Sequence, residues 1–162
     1  MNIRLKDIVA EDFCNYKKPS MFLITCFCDW KCCREQGLNN SICQNNSLEK
    51  TPIKEYSFSS LYNFYINNDI SKAIIFGGLE PLKQYTEVCG FIHYFREKGC
   101  KDDIIIYTGY TEEEVRKDYP EILKFENMII KFGRFAVNQK PHHDKILEID
   151  LASDNQYAKK FN

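Results

Sequence analysis

The sequence predicts an α/β fold: one domain over residues 1–162, with a mostly parallel sheet that forms an incomplete (β/α) barrel open on one side. Short, wholly apolar runs recur along the chain, and such runs are typical of parallel strands covered on both faces. Segments with helical periodicity separate them, as in βαβ units with right-handed crossovers. A chain of 162 residues that is 44% hydrophobic is large enough to build one continuous core.

Apolar runs identify the predicted strands. Four of them should form the parallel sheet: Met21–Thr25, Ala73–Phe76, Asp103–Tyr107 and Met128–Phe132. A further segment, Ile146–Leu151, alternates apolar and polar side chains, which suits an edge strand at the sheet boundary.

Three segments between the strands have helical features. The apolar residues of Ser57–Asn67 fall at spacings of three and four, which predicts one apolar helix face. Pro81–Lys98 is the second predicted helix. Thr111–Lys117 is the third, and Thr111 and Glu114 have the spacing of a capping box at its start.

Several loops should meet at one edge of this sheet, because ligands of parallel α/β proteins bind beyond the carboxyl ends of the strands. Glu35–Lys54 has no sustained periodicity and is predicted to be a long loop of the kind that is usually functional. The loop that carries the cysteines from Cys28 onward directly follows the first strand, and the three other strands end at Gly77-Gly78, Thr108–Tyr110 and Gly133-Arg134. The sequence therefore predicts one site built from all four loops.

Charge and hydropathy exclude several classes of partner. The 22 basic and 23 acidic side chains leave a formal net charge of -1, so no strong field attracts nucleic acid or anionic lipid. Met1–Asp12 lacks the apolar run of a secretory signal, and no segment approaches the roughly 18 to 20 apolar residues of a membrane-spanning helix. We expect a cytoplasmic protein with neither a nucleic-acid nor a membrane partner.

Cysteines are the most informative residues in the chain, which has eight of them. In a reducing cytosol, such a number favours metal binding or redox chemistry over disulfides. Five of them crowd into one short segment: Cys26, Cys28, Cys32, Cys33 and Cys43. Iron–sulfur clusters need several thiolates that converge, and a loop after a strand is a natural carrier. The remaining three, Cys14, Cys89 and Cys100, are scattered and are expected to pack as small hydrophobic residues.

Two other interpretations of this cysteine segment stay open at the level of sequence. Four thiolates satisfy the tetrahedral preference of zinc, and a set such as Cys26, Cys28, Cys33 and Cys43 has the required number, although no CxxC occurs. The cysteines are alternatively unligated packing residues, although charged neighbours argue against this.

These residues resemble a known family. Phe22–Thr25 followed by Cys28-Asp29-Trp30-Lys31-Cys32 resembles the start of radical S-adenosylmethionine proteins, specifically the activating proteins of anaerobic ribonucleoside-triphosphate reductase and related single-domain 4Fe-4S proteins. Further segments are similar to that family in the same order: Cys43–Ser47, Gly77–Leu82, Ile106–Thr111, Gly133–Phe135 and Ser153–Gln156. The likeness extends over nearly the whole chain.

The resemblance implies a [4Fe-4S] cluster with three protein ligands, Cys28, Cys32 and Cys43, and S-adenosylmethionine on the fourth iron. The family has the pattern CxxxCxxC, but Glu35 stands where its third cysteine would be, so this ligand is assigned to Cys43. Two nearby cysteines, Cys26 and Cys33, remain alternatives.

The resemblance also implies a set of S-adenosylmethionine contacts, without assigning a catalytic residue. The expected cofactor-binding residues are Ile42, Gly77, Gly78, Glu80, Tyr107 and Thr108. The glycines would let the backbone approach the ligand, and Glu80 would accept from its amino group. Relative to the family, Leu79 is one extra residue between the glycine pair and Glu80. In the alternative interpretation the glycines only turn the chain, Glu80 caps the next helix, and the other three residues are core or turn.

The function implied by the resemblance is reductive cleavage of S-adenosylmethionine to a 5'-deoxyadenosyl radical. The expected partner is a glycyl radical enzyme such as anaerobic ribonucleotide reductase, and the expected electron donor is a flavodoxin or ferredoxin. Lys131 and Arg134 are expected to be exposed charges. They would either position the carboxylate of the ligand or contact a partner; alternatively, they have no specific role. Alternatives are a radical enzyme for another peptide or small molecule, and a structural zinc or iron–sulfur interaction module.

Overall fold

A computed structural model describes all of residues 1–162. Ten strands form in chain order: β1 (Asn2–Leu5), β2 (Asp7–Asp12), β3 (Ser20–Thr25), β4 (Lys54–Ser57), β5 (Ala73–Gly78), β6 (Asp103–Tyr107), β7 (Met128–Phe132), β8 (His142–Asp144), β9 (Ile149–Leu151) and β10 (Tyr157–Phe161). The four α-helices are α1 (Lys31–Glu35), α2 (Phe58–Ile66), α3 (Tyr85–Glu97) and α4 (Glu112–Asp118). Short 3-10 helices cover Asn40–Ile42, Asn46–Lys50, Pro81–Gln84 and Pro120–Lys124.

Six strands form the main sheet, in the order β10-β7-β6-β5-β3-β2. Its inner strands β3, β5, β6 and β7 pair in parallel, whereas β2 and β10 add antiparallel edges. These two edge strands do not pair with each other, so the sheet has two free edges. The expectation of an incomplete barrel stays a prediction. Two smaller antiparallel pairs, β1 with β4 and β8 with β9, lie outside the main sheet.

The four apolar runs predicted as parallel strands are confirmed as β3, β5, β6 and β7. The predicted edge strand Ile146–Leu151 is wrong in its first half, because only Ile149–Leu151 is extended and it pairs with β8. Glu148 has a positive φ of 58°, and its N–H donates to the Asp144 carbonyl oxygen, which closes a turn there. The true edge strand is β10, which pairs with β7.

The three predicted helices are also present. Ser57 caps α2 by accepting from the Ser60 N–H, and Thr111 and Glu114 form the predicted capping box of α4. The helix predicted over Pro81–Lys98 begins with a 3-10 turn before α3, because the Glu80 side chain accepts from the Leu82 N–H. No helix combines the length and the apolar character needed to cross a membrane.

The main sheet has two faces of different character. On the helical face, α2, α3 and α4 cover a core of 23 buried residues, in which Phe91 of α3 packs on Phe76 of β5 with ring centroids 6.1 Å apart. The opposite, loop face has a core of only eight buried residues, and no α-helix contributes to it. Tyr16, Leu147 and Leu151 cover that core. The rest of the loop face borders a cavity.

Candidate metal centre

A cavity of about 820 Å³ lies at the carboxyl ends of β3, β5, β6 and β7 and extends over the loop face of the sheet. Its lining includes residues of all four loops that the sequence predicts to converge: Cys28–Cys33, Gly78–Glu80, Thr108–Tyr110 and Gly133–Phe135. The prediction that these loops meet at one edge of the sheet is confirmed. The volume falls within the range of small-molecule sites.

Four cysteines line this cavity: Cys28, Cys32, Cys33 and Cys43. Cys28 follows β3, Cys32 lies in α1, and Cys43 ends a 3-10 helix of the long loop, so all three predicted ligands reach the same space. The remaining candidate, Cys26, is buried outside the cavity, and this burial raises the pKa of its thiol. The structure therefore does not bring Cys26 to the site.

One of the cavity thiols accepts a backbone hydrogen bond from the residue two positions later. The Trp30 N–H donates to Cys28 Sγ over 3.3 Å. Trp30 adopts a left-handed φ of 55° at the start of α1. This places its N–H back toward the preceding cysteine. Such N–H groups stabilise a thiolate and belong to the polar surroundings that tune cluster potentials.

Burial has the larger effect on the cavity thiols in the protein without a metal. It raises the pKa of Cys28 to about 12, and it also raises the pKa of Cys32 and of Cys43. A thiol that is protonated at neutral pH becomes a thiolate when it coordinates a cationic metal. The three cysteines of the metal-free site are therefore uncharged thiols, which become thiolates when a metal binds.

Glu80 is the most strongly buried acidic residue of the site, with 7% of its surface exposed. Its Oε1 accepts from the Leu82 N–H over 3.1 Å and from Thr108 Oγ1 over 2.8 Å, and its Oε2 accepts from the Gly109 N–H over 2.8 Å. Desolvation nevertheless raises the pKa of this carboxyl to about 7. Glu80 thus both caps the 3-10 turn and projects a carboxyl group at the cavity.

Of the other five residues predicted to bind S-adenosylmethionine, four line the cavity and one does not. Ile42, Gly78, Tyr107 and Thr108 line the cavity, and Gly77 does not. A Cβ on Gly77 would lie 2.7 Å from the Phe22 ring, so this glycine allows close packing within the sheet. Gly78 has a φ of +85°, and a Cβ there would lie 2.6 Å from Ile24 Cγ2. Only glycine fits readily at both positions.

The polar groups of Tyr107 and Thr108 already have protein partners. The Tyr107 hydroxyl donates to the Asn15 carbonyl oxygen over 2.5 Å, which leaves only the ring facing the cavity. The Thr108 hydroxyl donates to Glu80 and accepts from the Tyr110 N–H. Thr108 therefore orients the Glu80 carboxyl group.

Comparison with known proteins agrees with the cysteine geometry. The family model described as a 4Fe-4S single cluster domain matches residues 20–157, a span that contains every cavity cysteine. The chain belongs to this family. It is therefore an iron–sulfur protein of the 4Fe-4S single cluster type. No curated protein and no solved structure matches the chain significantly.

The donor chemistry of this 4Fe-4S domain suits an iron–sulfur cluster, which takes soft thiolate ligands. Cys28, Cys32 and Cys43 supply three sulfur donors around one cavity, and the Trp30 N–H supports the first of them. No group of three or more Cys, His, Asp or Glu side chains is arranged to hold a single metal ion.

Charged residues surround the cavity of the 4Fe-4S domain, and two of them differ from the sequence-based expectation. Lys131 and Arg134 are predicted to be exposed, and this is wrong: the lysine is buried, and the guanidinium side chain is 13% exposed. Arg134 Nη2 lies 2.7 Å from the carboxylate of Glu114, which also pairs with Lys31. These ion pairs tie α1 and α4 to the loop that follows β7.

Asp29 belongs to the site as well, and sequence reasoning assigned it no role. Its Oδ2 accepts from the Tyr110 hydroxyl over 2.6 Å, and its Oδ1 accepts from the Lys31 N–H over 3.1 Å. The only signal in the sequence was its position inside the CxxxC segment. Asp29 links the loop of Cys28 to the turn after β6, which holds the cysteine segment in place.

Proposed function

We propose that this domain holds a [4Fe-4S] cluster on Cys28, Cys32 and Cys43 and uses it to cleave S-adenosylmethionine reductively. The cavity supports this proposal most directly. The three cysteines lie around the same space as Gly78, Glu80 and Tyr107, and its volume of about 820 Å³ leaves room beside a cluster for a nucleoside-sized ligand. When bound, a cluster with one open iron supplies an electron to the sulfonium, which releases methionine and a 5'-deoxyadenosyl radical.

Glu80 is the proposed partner of the ligand's amino group. A carboxylate offers about four acceptor positions, and three donors already occupy the Glu80 oxygens. One position therefore remains for an ammonium group. Thr108 and Gly109 hold the carboxyl group in a single orientation, so binding requires little reorganisation.

Gly78 and Tyr107 are proposed to shape the remainder of the ligand site. The absence of a side chain at Gly78 lets a ligand lie against the end of β5. The Tyr107 ring and Ile42 provide apolar surface for an adenine ring. Gly77 would contribute indirectly, because it allows Phe22 to pack against the sheet beneath the site.

The proposed hydrogen donor is the Cα–H of a glycine in a partner protein such as anaerobic ribonucleotide reductase. Two partly exposed apolar side chains at the cavity, Ile42 and Phe135, are 51% and 38% exposed and offer a surface for a peptide segment. An electron donor such as a flavodoxin or ferredoxin would reduce the cluster. A radical enzyme for another peptide or small molecule would use the same cavity chemistry, and a glycyl radical assay with the reductase separates these cases.

The test is anaerobic reconstitution followed by addition of dithionite and S-adenosylmethionine. We expect about four irons per chain and formation of 5'-deoxyadenosine. The matched variant is Glu80→Gln, which keeps the shape of the side chain and should keep the cluster while it weakens ligand binding. A fully loaded cluster that forms no 5'-deoxyadenosine would refute cleavage and leave an electron-transfer or structural role.

A second candidate function is electron transfer by a closed cluster with four cysteine ligands. One observation favours it: a fourth cysteine, Cys33, also lines the cavity. Its Sγ lies 3.9 Å from that of Cys32, which is too short for ligands on different corners of a cube. A closed cluster would therefore require α1 to rearrange. In Cys33→Ala, an unchanged cluster with full cleavage supports the open cluster, whereas loss of the cluster supports the closed one.

A further inference from the structure

Lys131 is a buried cation without an anionic partner. Its side chain lies on the loop face near the end of β7, with 8% of its surface exposed, and it lines the cavity. Its Nζ donates to the Gly133 carbonyl oxygen over 3.1 Å. It takes part in none of the ion pairs of the chain. A buried ammonium without a counter-ion is unfavourable, so the position requires a compensating anion.

Four carboxylates line the cavity, those of Asp12, Asp29, Glu80 and Asp150, and none of them forms an ion pair with Lys131. Glu80 accepts its hydrogen bonds from Leu82, Thr108 and Gly109, and Asp29 accepts from Tyr110 and Lys31. Negative charge on Glu80 favours the charged form of Lys131, but the two do not form an ion pair. A closer compensating charge would therefore enter with whatever fills the cavity.

Cys32 lies within electrostatic range of this ammonium. Burial lowers the pKa of Lys131 to about 8, and negative charge on Glu80 and Cys32 opposes that decrease. The charged form still predominates at neutral pH. Lys131 and Cys32 line the same cavity, and Cys32 is a proposed cluster ligand, so the ammonium group shares the space in which the cluster would lie.

We propose that Lys131 is a positioning cation for the iron–sulfur cluster, which raises the reduction potential of the cluster by stabilising its reduced form. This inference rests on the cluster ligands given under the proposed function. A cluster with three thiolates is anionic, and reduction adds one electron and one further negative charge. A fixed cation in a dry cavity interacts more favourably with the more negative state.

The experiment is a redox titration of the reconstituted, full-length protein, followed by electron paramagnetic resonance, without S-adenosylmethionine. We expect Lys131→Met to lower the reduction equilibrium constant about tenfold, which is about 59 mV more negative for a one-electron couple. Lys131→Arg retains the charge and should keep a potential close to that of the wild type. Lys140→Met, which removes an exposed lysine, should leave the potential unchanged because water screens it.

An unshifted potential in Lys131→Met would overturn the inference. If this variant fails to retain a cluster, Lys131→Gln and Lys131→Arg decide: retention with Arg alone supports a requirement for charge, and loss in all three variants overturns it. Cleavage of S-adenosylmethionine is measured separately. Cleavage without a potential shift refutes the role of Lys131 alone, whereas a shift without cleavage refutes the proposed reaction alone.

Discussion

The two faces of the main sheet differ in what the same strands contribute to them. On the helical face, Ile74, Ile104 and Ile130 are fully buried beneath the helices. On the loop face, apolar packing is confined to the amino-terminal parts of the strands, and the paired residues Tyr107 and Lys131 border the cavity near the carboxyl ends. Alternation along a strand thus separates a surface that stabilises the fold from one that lines the cavity.

The largest expected effect concerns the metal end of the loop face. Each of Cys28→Ala, Cys32→Ala and Cys43→Ala removes one of three ligands and should abolish a stable cluster, measured as iron and sulfide per chain after anaerobic reconstitution. Cys89→Ala is the control, because that half-buried cysteine lies in α3 outside the cavity. A normal cluster in Cys43→Ala would transfer the third ligand to Cys33.

The second effect compares the packing of the two faces through the same change, Phe to Ala, made once on each face. Phe76 on β5 is fully buried under the helices, whereas Phe22 on the neighbouring β3 is half-buried and borders the cavity. Phe76→Ala should cost about 3–5 kcal/mol in the free energy of unfolding, because it leaves a void in a closed core. Phe22→Ala should cost about 1–2 kcal/mol less, because less apolar surface is lost. Urea denaturation of the metal-free variants measures both, and equal costs would show that the loop face is packed as tightly as the helical face.

The smallest effect is a pH dependence of stability that comes from the loop face. The pKa of Glu80 is about 7 in the folded protein, above the usual 4.5, because burial favours the neutral acid. Its contribution to the free energy of unfolding is complete below about pH 4.5 and is lost as the pH rises through about 7, by at most about 3 kcal/mol.

Glu80→Gln removes this titration, so the free energy of unfolding of the metal-free variant should decrease less over that range than that of the wild type. Urea denaturation across the pH range measures it. Glu113→Gln, which changes an exposed glutamate of α4, is the control and should follow the wild type. An identical pH profile in wild type and Glu80→Gln would contradict the raised pKa.

Local patterns were enough to predict much of the architecture. The apolar runs of β6 and β7 have the predicted bounds, and the capping box of Thr111 and Glu114 forms as the spacing indicates. These features depend on neighbouring residues alone. The strand β10 was missed because Tyr157–Phe161 contains two lysines, and it is extended because it pairs with β7.

The candidate site was also predicted only in part from the sequence. The cysteine spacing pointed to Cys28 and Cys32, and the family resemblance pointed to Cys43 and Glu80; all four line the cavity. The positions of Gly78 and Thr108 after their strands placed them at the same edge. Sequence distance did not indicate that Cys26 lies outside the cavity while Cys33 lines it. The side on which each side chain projects depends on the course of the loop after β3.

By itself the sequence determined which segments become parallel strands, which cysteines are available as ligands and which loops follow the strand ends. Only the tertiary structure decided that Lys131 is a buried cation at the cavity, that Gly77 serves packing in place of lining, and that the Glu80 carboxyl group has three donors. Periodicity is a property of adjacent residues. Burial and electrostatic environment depend on which distant segments cover a side chain, and here the loops after β3, β6 and β7 supply that cover.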